Sequence, residues 1–363
     1  MKIKSIILLA VMAVGISSFN ACSYHNLEYF NPDKIAKCET PSKSDTIHYE
    51  SVTEMFSEVY RLNCIDDYLI ISNENKDTLF TVIDMRTDSV VAKFGCIGHA
   101  RNEFLTNPFF IYCLRDKKQS PLVCVLDQKS TKIIDLKKSI EANKCILADF
   151  IKEDKNFHFY QPYHLNDSVS FVYKAVSYKD ARDNKYFPPE FYLTGKENFK
   201  WNIYPDIIEP IYPNAVDIVY SNMIKPKPDG SKILCVSGLM DIVLLFDLPT
   251  KTATAFTNPN SYTFSYVNEN SDEASVKNTI RFYHGAIFAT DSYFGIVEDT
   301  ILYLDHLKKD DENGYSTINL YNWDGKLEKS YVIDKKVREI AYCERNNTLY
   351  AISYENRLFK YKL

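Results

Sequence analysis

The chain has 363 residues, enough for one large domain or two ordinary ones, and 45% of them are apolar, enough for a sizeable core. Its 43 basic and 48 acidic side chains are well mixed, with a net charge of −5, which argues against the concentrated basic face of a nucleic-acid binder.

The first element in chain order is a targeting segment. Lys2 and Lys4 form a charged start, and Ile6 to Ile16 is an apolar run too short for an ordinary spanning helix. The run ends at Phe19-Asn20-Ala21-Cys22. A small residue followed by cysteine after such a run resembles the lipobox of bacterial lipoproteins, although Phe19 stands where leucine is commoner. That resemblance implies cleavage before Cys22 and a diacylglyceryl group on its sulfur. The alternative is an ordinary secretory signal followed by a coincidental cysteine. On the lipoprotein reading, 1–21 is the signal peptide, 22–44 a flexible polar tether containing Pro32 and Pro41, and 45–363 the folded domain.

From residue 45 onward, short apolar or aromatic runs alternate with turn residues. No useful amphipathic helical stretch occurs; Met55 to Tyr60 and Lys137 to Ala148 are short helical turns at most. Regularly spaced short strands indicate an all-β fold. LFTVID (79–84), LVCVLD (122–127), IVLLFD (242–247) and INLYNW (318–323) are apolar on both faces of the pleat, as in blades sandwiched between blades. A hairpin phrase recurs: an apolar strand ending in Asp or Asn, a few polar residues, then a second strand. Copies are 82–94, 125–136, 245–256 and 320–333, with a degraded copy at 191–204. The terminal Asp or Asn is expected to accept turn amides.

The last copy, 337–363, follows the strand order of 59–84 but stops one strand short. The segment 45–51 can supply that strand, which would tie the termini together and remove a free edge. The expected blades are 57–104, 105–150, 151–205, 206–262, 263–335, and 336–363 completed by 45–56. The expectation is therefore a six-bladed β-propeller of four-stranded blades, closed by an N-terminal strand that completes the last blade. SYKDARDNKYFPPE (177–190) and NENSDEASVKN (268–278) read as rim loops.

Between the first two blades lies FGCIGHARNEF (94–104). Together with the signal and the repeat, it resembles the TolB-like (NHL-like) six-bladed propeller lipoproteins of Bacteroides-type bacteria. Phe94, Gly95, Gly98, Glu103 and Phe104 match that family's loop; Ala100 and Arg101 stand where Gly-Pro is expected. The residues themselves suggest that Gly95 and Gly98 turn the chain, Glu103 ties the loop and Phe104 wedges between blades.

Catalytic and metal signatures are weak. None of the seven histidines has a recognised ligand spacing. His284, in FYHGAIF, falls on an expected inner strand facing the central channel and is the channel candidate. His158 and His164 flank an aromatic segment, and KKDDENG (308–314) lacks the acid spacing of a calcium loop. Eight cysteines remain after Cys22, mostly inside apolar runs, so buried free thiols are preferred over a disulfide framework. Tyr160, Tyr163, Tyr173, Tyr178, Tyr186, Phe187, Phe191, Tyr192, Trp201, Tyr204 and Tyr212 crowd blades three and four. Such rings suit either blade packing or a sugar or peptide surface.

The sequence thus leads to an exported, membrane-anchored, non-catalytic binding or scaffold propeller in the cell envelope, at the outer membrane. No cofactor beyond the lipid on Cys22 is expected; the partners are the membrane and an envelope protein or glycan. The alternative is a propeller hydrolase, lactonase or lyase with a metal site in the channel, which requires three or more converging Asp, Glu, Asn or His.

Overall fold

The two-sided apolar runs become central strands, because a strand covered on both faces excludes water from both. The computed structural model describes residues 32–37, 43–55, 59–108, 110–128, 130–152, 160–180, 185–208, 220–238, 240–257, 281–302 and 314–363. Three strands precede the first blade: β1 (Lys34–Lys37), β2 (Asp45–Ile47) and β3 (Tyr49–Met55). Blade 1 is β4 (Val59–Ile65), β5 (Tyr68–Asn73), β6 (Phe80–Asp84) and β7 (Ser89–Phe94). Blade 2 is β8 (Phe110–Arg115), β9 (Pro121–Asp127), β10 (Ser130–Asp135) and β11 (Leu147–Lys152). Blade 3 holds β12 (Tyr160–Asn166), β13 (Val169–Lys174), β16 (Glu190–Thr194) and β17 (Phe199–Trp201). Between its second and third strands it carries a two-stranded ribbon, β14 (Ser177–Asp180) and β15 (Lys185–Phe187). Blade 4 is β18 (Asn222–Pro226), β19 (Lys232–Ser237), β20 (Ile242–Asp247) and β21 (Thr252–Thr257). Blade 5 is β22 (Arg281–Ala289), β23 (Tyr293–Leu302), β24 (Ser316–Asn322) and β25 (Leu327–Ile333). Blade 6 is β26 (Val337–Cys343), β27 (Thr348–Ser353) and β28 (Arg357–Lys362), completed by β3.

The fold is therefore a six-bladed β-propeller closed by an N-terminal strand. Closure runs antiparallel, from Arg357 opposite Met55 to Tyr361 opposite Tyr49. It lies slightly later than expected: β2 pairs instead with blade 5, parallel to β25, and β3 closes blade 6. Within the segment expected as a tether, β1 lies parallel to β21 on blade 4, and the Asp33 carboxylate accepts the Ala253 amide at 2.6 Å. The N-terminal segment is thus a strap across three successive blades. The reason is that β21 and β25 would otherwise present rows of unpaired backbone groups at the rim.

One local expectation is corrected, and the short helical turn expected at 55–60 falls on 56–58, which lie outside the described residues. The insertion 177–190 is the β14–β15 ribbon plus the start of β16, not a plain loop. Among the described residues the helix is Leu136–Ala142, where Asp135 caps the Lys138 amide and Asn143 ends it at φ 47°.

Three of the four hairpin Asp/Asn residues bind their own turns. Asp84 accepts the Arg86 amide at 2.9 Å, Asp247 the Thr250 amide at 3.0 Å and Asn322 the Asp324 amide at 3.0 Å. The core lies between blades. Separate apolar clusters join blades 1 and 2, 4 and 5, 5 and 6, and 6 and 1, and one large aromatic cluster joins blades 2, 3 and 4. That cluster takes in Tyr163, Tyr173, Tyr186, Phe191, Trp201 and Tyr204, so most of the aromatics noted in the sequence are consumed by packing.

Candidate functional site

The loop FGCIGHARNEF turns where its glycines stand. Gly95 has φ +82°, and a Cβ there would lie 2.8 Å from a ring carbon of Phe80. A Cβ on Gly98 would collide with the Glu103 carboxylate, which bends back to accept the Ala100 amide at 2.9 Å. Phe104 is 0% exposed and meets Phe80 edge-on at 5.4 Å, in the cluster shared by blades 1 and 2. A buried ion pair of blade 2 then holds the exit of the loop. Lys132 and Asp127 approach to 2.8 Å with side chains 4% and 0% exposed. Asp127 accepts the amides of Leu105 at 2.9 Å and Thr106 at 3.1 Å. Lys132 donates to the Glu103 carbonyl and lies 4.8 Å over the Phe104 ring. Asp127 is thus the exception among the hairpin acids, serving the loop instead of its own turn. These contacts all concern packing.

Among the described residues, part of the central channel is packed closely. Leu62, Asn63, Tyr112, Lys225, Phe288 and Tyr342 surround a cavity of about 20 Å³. Inner strand β18 packs directly against β8, and the Arg115 amide reaches the Pro228 carbonyl at 2.9 Å. Lys225 crosses the axis from blade 4, its Nζ donating to Asn63 Oδ1 at 2.6 Å and to the Ile111 carbonyl at 3.4 Å. Burial, the largest influence, holds the Lys225 ammonium below its ordinary value. His284 lies on β22 opposite Glu298, but its side chain is outside the described residues. Cys22, His158 and 308–313 are outside them as well. His164 is placed in a wall, its Nδ1 2.7 Å from Ser170 Oγ. Among the described residues no group of three or more His, Cys, Asp or Glu is arranged to hold a metal, and the seven described cysteines are free thiols.

At the channel end where first strands turn into second strands, charges close the ring. Arg115 pairs with Asp66 at 2.5 Å and Asp291 at 2.8 Å, and Arg345 with Asp66 at 3.2 Å and Asp67 at 3.0 Å. Glu344 is taken up by Ser292 and Tyr293 amides at 2.7 and 3.2 Å.

A cavity of about 120 Å³ lies among these charges, and the opposite end has more room. A cleft of about 730 Å³ opens where β8, β12 and β18 begin. Phe110, Gln161, Tyr173, Tyr178, Tyr220 and Asn222 form most of its described wall, completed by Ala175, Val176, Ser177 and Ser221. Tyr178 is 59% exposed and Phe110 43%, whereas Tyr173 and Tyr220 are buried as floor. The floor is tied by Asn222 Nδ2, which donates to the Tyr220 carbonyl at 2.9 Å and to Tyr173 Oη at 3.3 Å. Tyr178 rides on the β14–β15 ribbon against Tyr186, with ring centroids 4.9 Å apart. Tyr186 in turn exchanges two backbone hydrogen bonds with Ile208, of 3.0 and 2.9 Å, so the exposed ring stands on a fixed base. No described residue of this wall is charged. The sequence pointed to the aromatic region but missed Phe110, Gln161, Tyr220 and Asn222; their signal is positional, three of them lying at or next to the start of an inner strand.

No helix of the described residues is long and apolar enough to cross a membrane. No protein-family model and no curated protein matches the sequence. Among solved structures, a member of the DUF4221 family from Bacteroides vulgatus is similar over 90% of this chain and 98% of its own, with TM-score 0.53 and 12% identity. A Bacteroides fragilis protein described as exported is similar over 90% and 98%, with TM-score 0.51 and 10% identity. At such identities the likeness is one of fold, and the fold held in common is the six-bladed propeller.

Proposed function

We propose that the protein is an exported, lipid-anchored and non-catalytic binding propeller, which takes an uncharged ligand into the cleft at the start of β8, β12 and β18. The cleft carries this reading. Its volume of about 730 Å³ lies within the ordinary range of ligand sites. Its exposed rings offer flat apolar contact at low entropic cost, and the Gln161 amide and Ser177 and Ser221 hydroxyls can orient a polar ligand. Anchoring rests on Lys2, Lys4, the apolar run to Ile16 and Ala21-Cys22. Export is in keeping with the description of the B. fragilis structure, and Cys22 would then carry the acyl lipid at the outer membrane, with an envelope glycan or protein as partner. A TolB-like or NHL-like ancestry remains part of this proposal, resting on the match at Phe94, Gly95, Gly98, Glu103 and Phe104.

The test is calorimetric titration of the mature protein with neutral tetrasaccharides (cellotetraose, xylotetraose, mannotetraose) and with uncharged tetrapeptides. Binding of at least one, weakened about tenfold or more in both Tyr178→Ala and Gln161→Ala, is the expected result. Absence of binding across the panel, or binding indifferent to both substitutions, overturns the reading. For the anchor, Cys22→Ala is expected to move the protein from the membrane to the soluble fraction; an unchanged membrane fraction refutes it.

A further inference from the structure

We propose that the central channel holds one monovalent anion of halide size, bound by the Lys225 ammonium and Asn63 Nδ2. The argument is a surplus of donors in a narrow space, beside the buried Asn63 and the half-buried Lys225. Asn63 is 7% exposed, and its Oδ1 is committed to Lys225 at 2.6 Å, which fixes the direction of the amide. Its Nδ2 is then buried with no hydrogen-bond partner among the described residues, and an orphaned buried donor is costly. Lys225 spends two of its three N–H groups on Asn63 and the Ile111 carbonyl, leaving a third.

The neighbouring hydroxyls are turned elsewhere. Tyr112 Oη accepts the His164 amide at 2.7 Å, and Tyr342 Oη donates to Asn347 at 2.7 Å. Glu339 acts on Lys225 through space, but it is held by Arg61 at 2.8 Å and by the Leu62 amide at 3.4 Å. Arg61 offsets much of Glu339, so the positive charge of Lys225 has little counter-charge beside the cavity. A buried charge without a counter-charge is expensive. A water in the cavity could accept from the orphaned donors, but it would leave that charge unopposed. An anion satisfies both demands. The space fits: the cavity measures about 20 Å³, where one water needs about 10–15 Å³ on the same scale. The depressed basicity of Lys225 agrees with a cation that lacks its counter-ion.

The test compares thermal unfolding of the mature protein in sodium chloride and in sodium gluconate, whose anion is too bulky for the channel, at equal ionic strength. Chloride is expected to raise Tm by roughly 2 °C or more, saturably, relative to gluconate. Lys225→Met removes the cation and is expected to remove the increment. Asn63→Asp supplies a carboxylate in place of the anion and is expected to fold and to be equally indifferent to chloride, so the test survives if Lys225→Met does not fold. A crystal grown in bromide should show an anomalous peak between Asn63 and Lys225. Equal Tm in the two salts, an undiminished chloride increment in Asn63→Asp, or a bromide crystal without that peak overturns the proposal.

Discussion

The two ends of the propeller are made of opposite materials. At the turn end, Asp66, Arg115, Asp291 and Arg345 come from blades 1, 2, 5 and 6 and neutralise one another across the axis. At the cleft end the described wall holds no charged side chain, and Phe110 and Tyr178 stand in water. Ion pairs suit a surface that holds, since a charge stripped of its partner is costly where it is screened from water. Uncharged rings suit a surface that waits, since they carry little solvation to lose when a ligand arrives. The ring is locked from one end and left receptive at the other.

The largest effect should come from breaking the ring that both ends share. Deleting Tyr49–Met55 strips β28 of its partner and leaves blade 6 with three strands. We expect a loss of more than about 10 °C in Tm, or no folded protein at all, measured by calorimetry; an unaltered transition would mean that closure contributes nothing. Next comes alkaline pH, which acts on the packing between the ends. Burial pushes the thiols of Cys113 and Cys145 from the ordinary value near 9 up to about 12, and raises those of Cys124 and Cys235 further still. Above pH 9 the unfolded chain releases thiol protons that the folded chain keeps, so stability falls as pH rises. The loss is about 1 kcal/mol per buried thiol by pH 10. Lys225, held down by burial, works in the opposite direction. A Tm measured under reductant that does not decline between pH 8.5 and 10.5 would contradict this.

Arg115→Leu tests the locked end by itself. Asp291 is half exposed and will be solvated, and Asp66 keeps Arg345, so the expected cost is about 2 kcal/mol and not the full penalty of an orphaned buried charge. Ligand binding at the cleft should be unchanged, because Arg115 ends the strand that Phe110 begins. If denaturant titration shows the cost and cleft binding falls too, the two ends are coupled and do not have separate tasks.

How much of this was legible in the sequence depends on how local the cause is. The strands were, because LFTVID or IVLLFD are apolar on both faces wherever they are placed. Closure was, because 337–363 stops where 59–84 continues. The strap was not: KIAK carries no strand pattern, and its pairing is set by the open edge of β21 far along the chain. Asp127 looked like every other hairpin acid. Its actual task follows from Lys132, diagonally across the same hairpin on the same face, a relation that appears only once register is known. The cleft was half legible. The aromatic crowding of blades 3 and 4 marked the region, but burial decides which rings pack and which face solvent, and only the ribbon lifts Tyr178 out.

The smallest change in stability belongs to the receptive end, and it sharpens the contrast most. Tyr178 is 59% exposed and makes its described ring contact with Tyr186 alone. Replacing it with alanine removes part of one aromatic contact and leaves the backbone pairing of the ribbon intact. The expected loss is therefore at most about 0.5 kcal/mol in a denaturant titration, the ordinary range for a surface position. The same substitution should cost about tenfold in ligand affinity. Arg115→Leu makes the mirror-image prediction, large in stability and nil in binding. A Tyr178→Ala protein destabilised as much as Arg115→Leu would show that the ribbon, too, is part of what holds the ring.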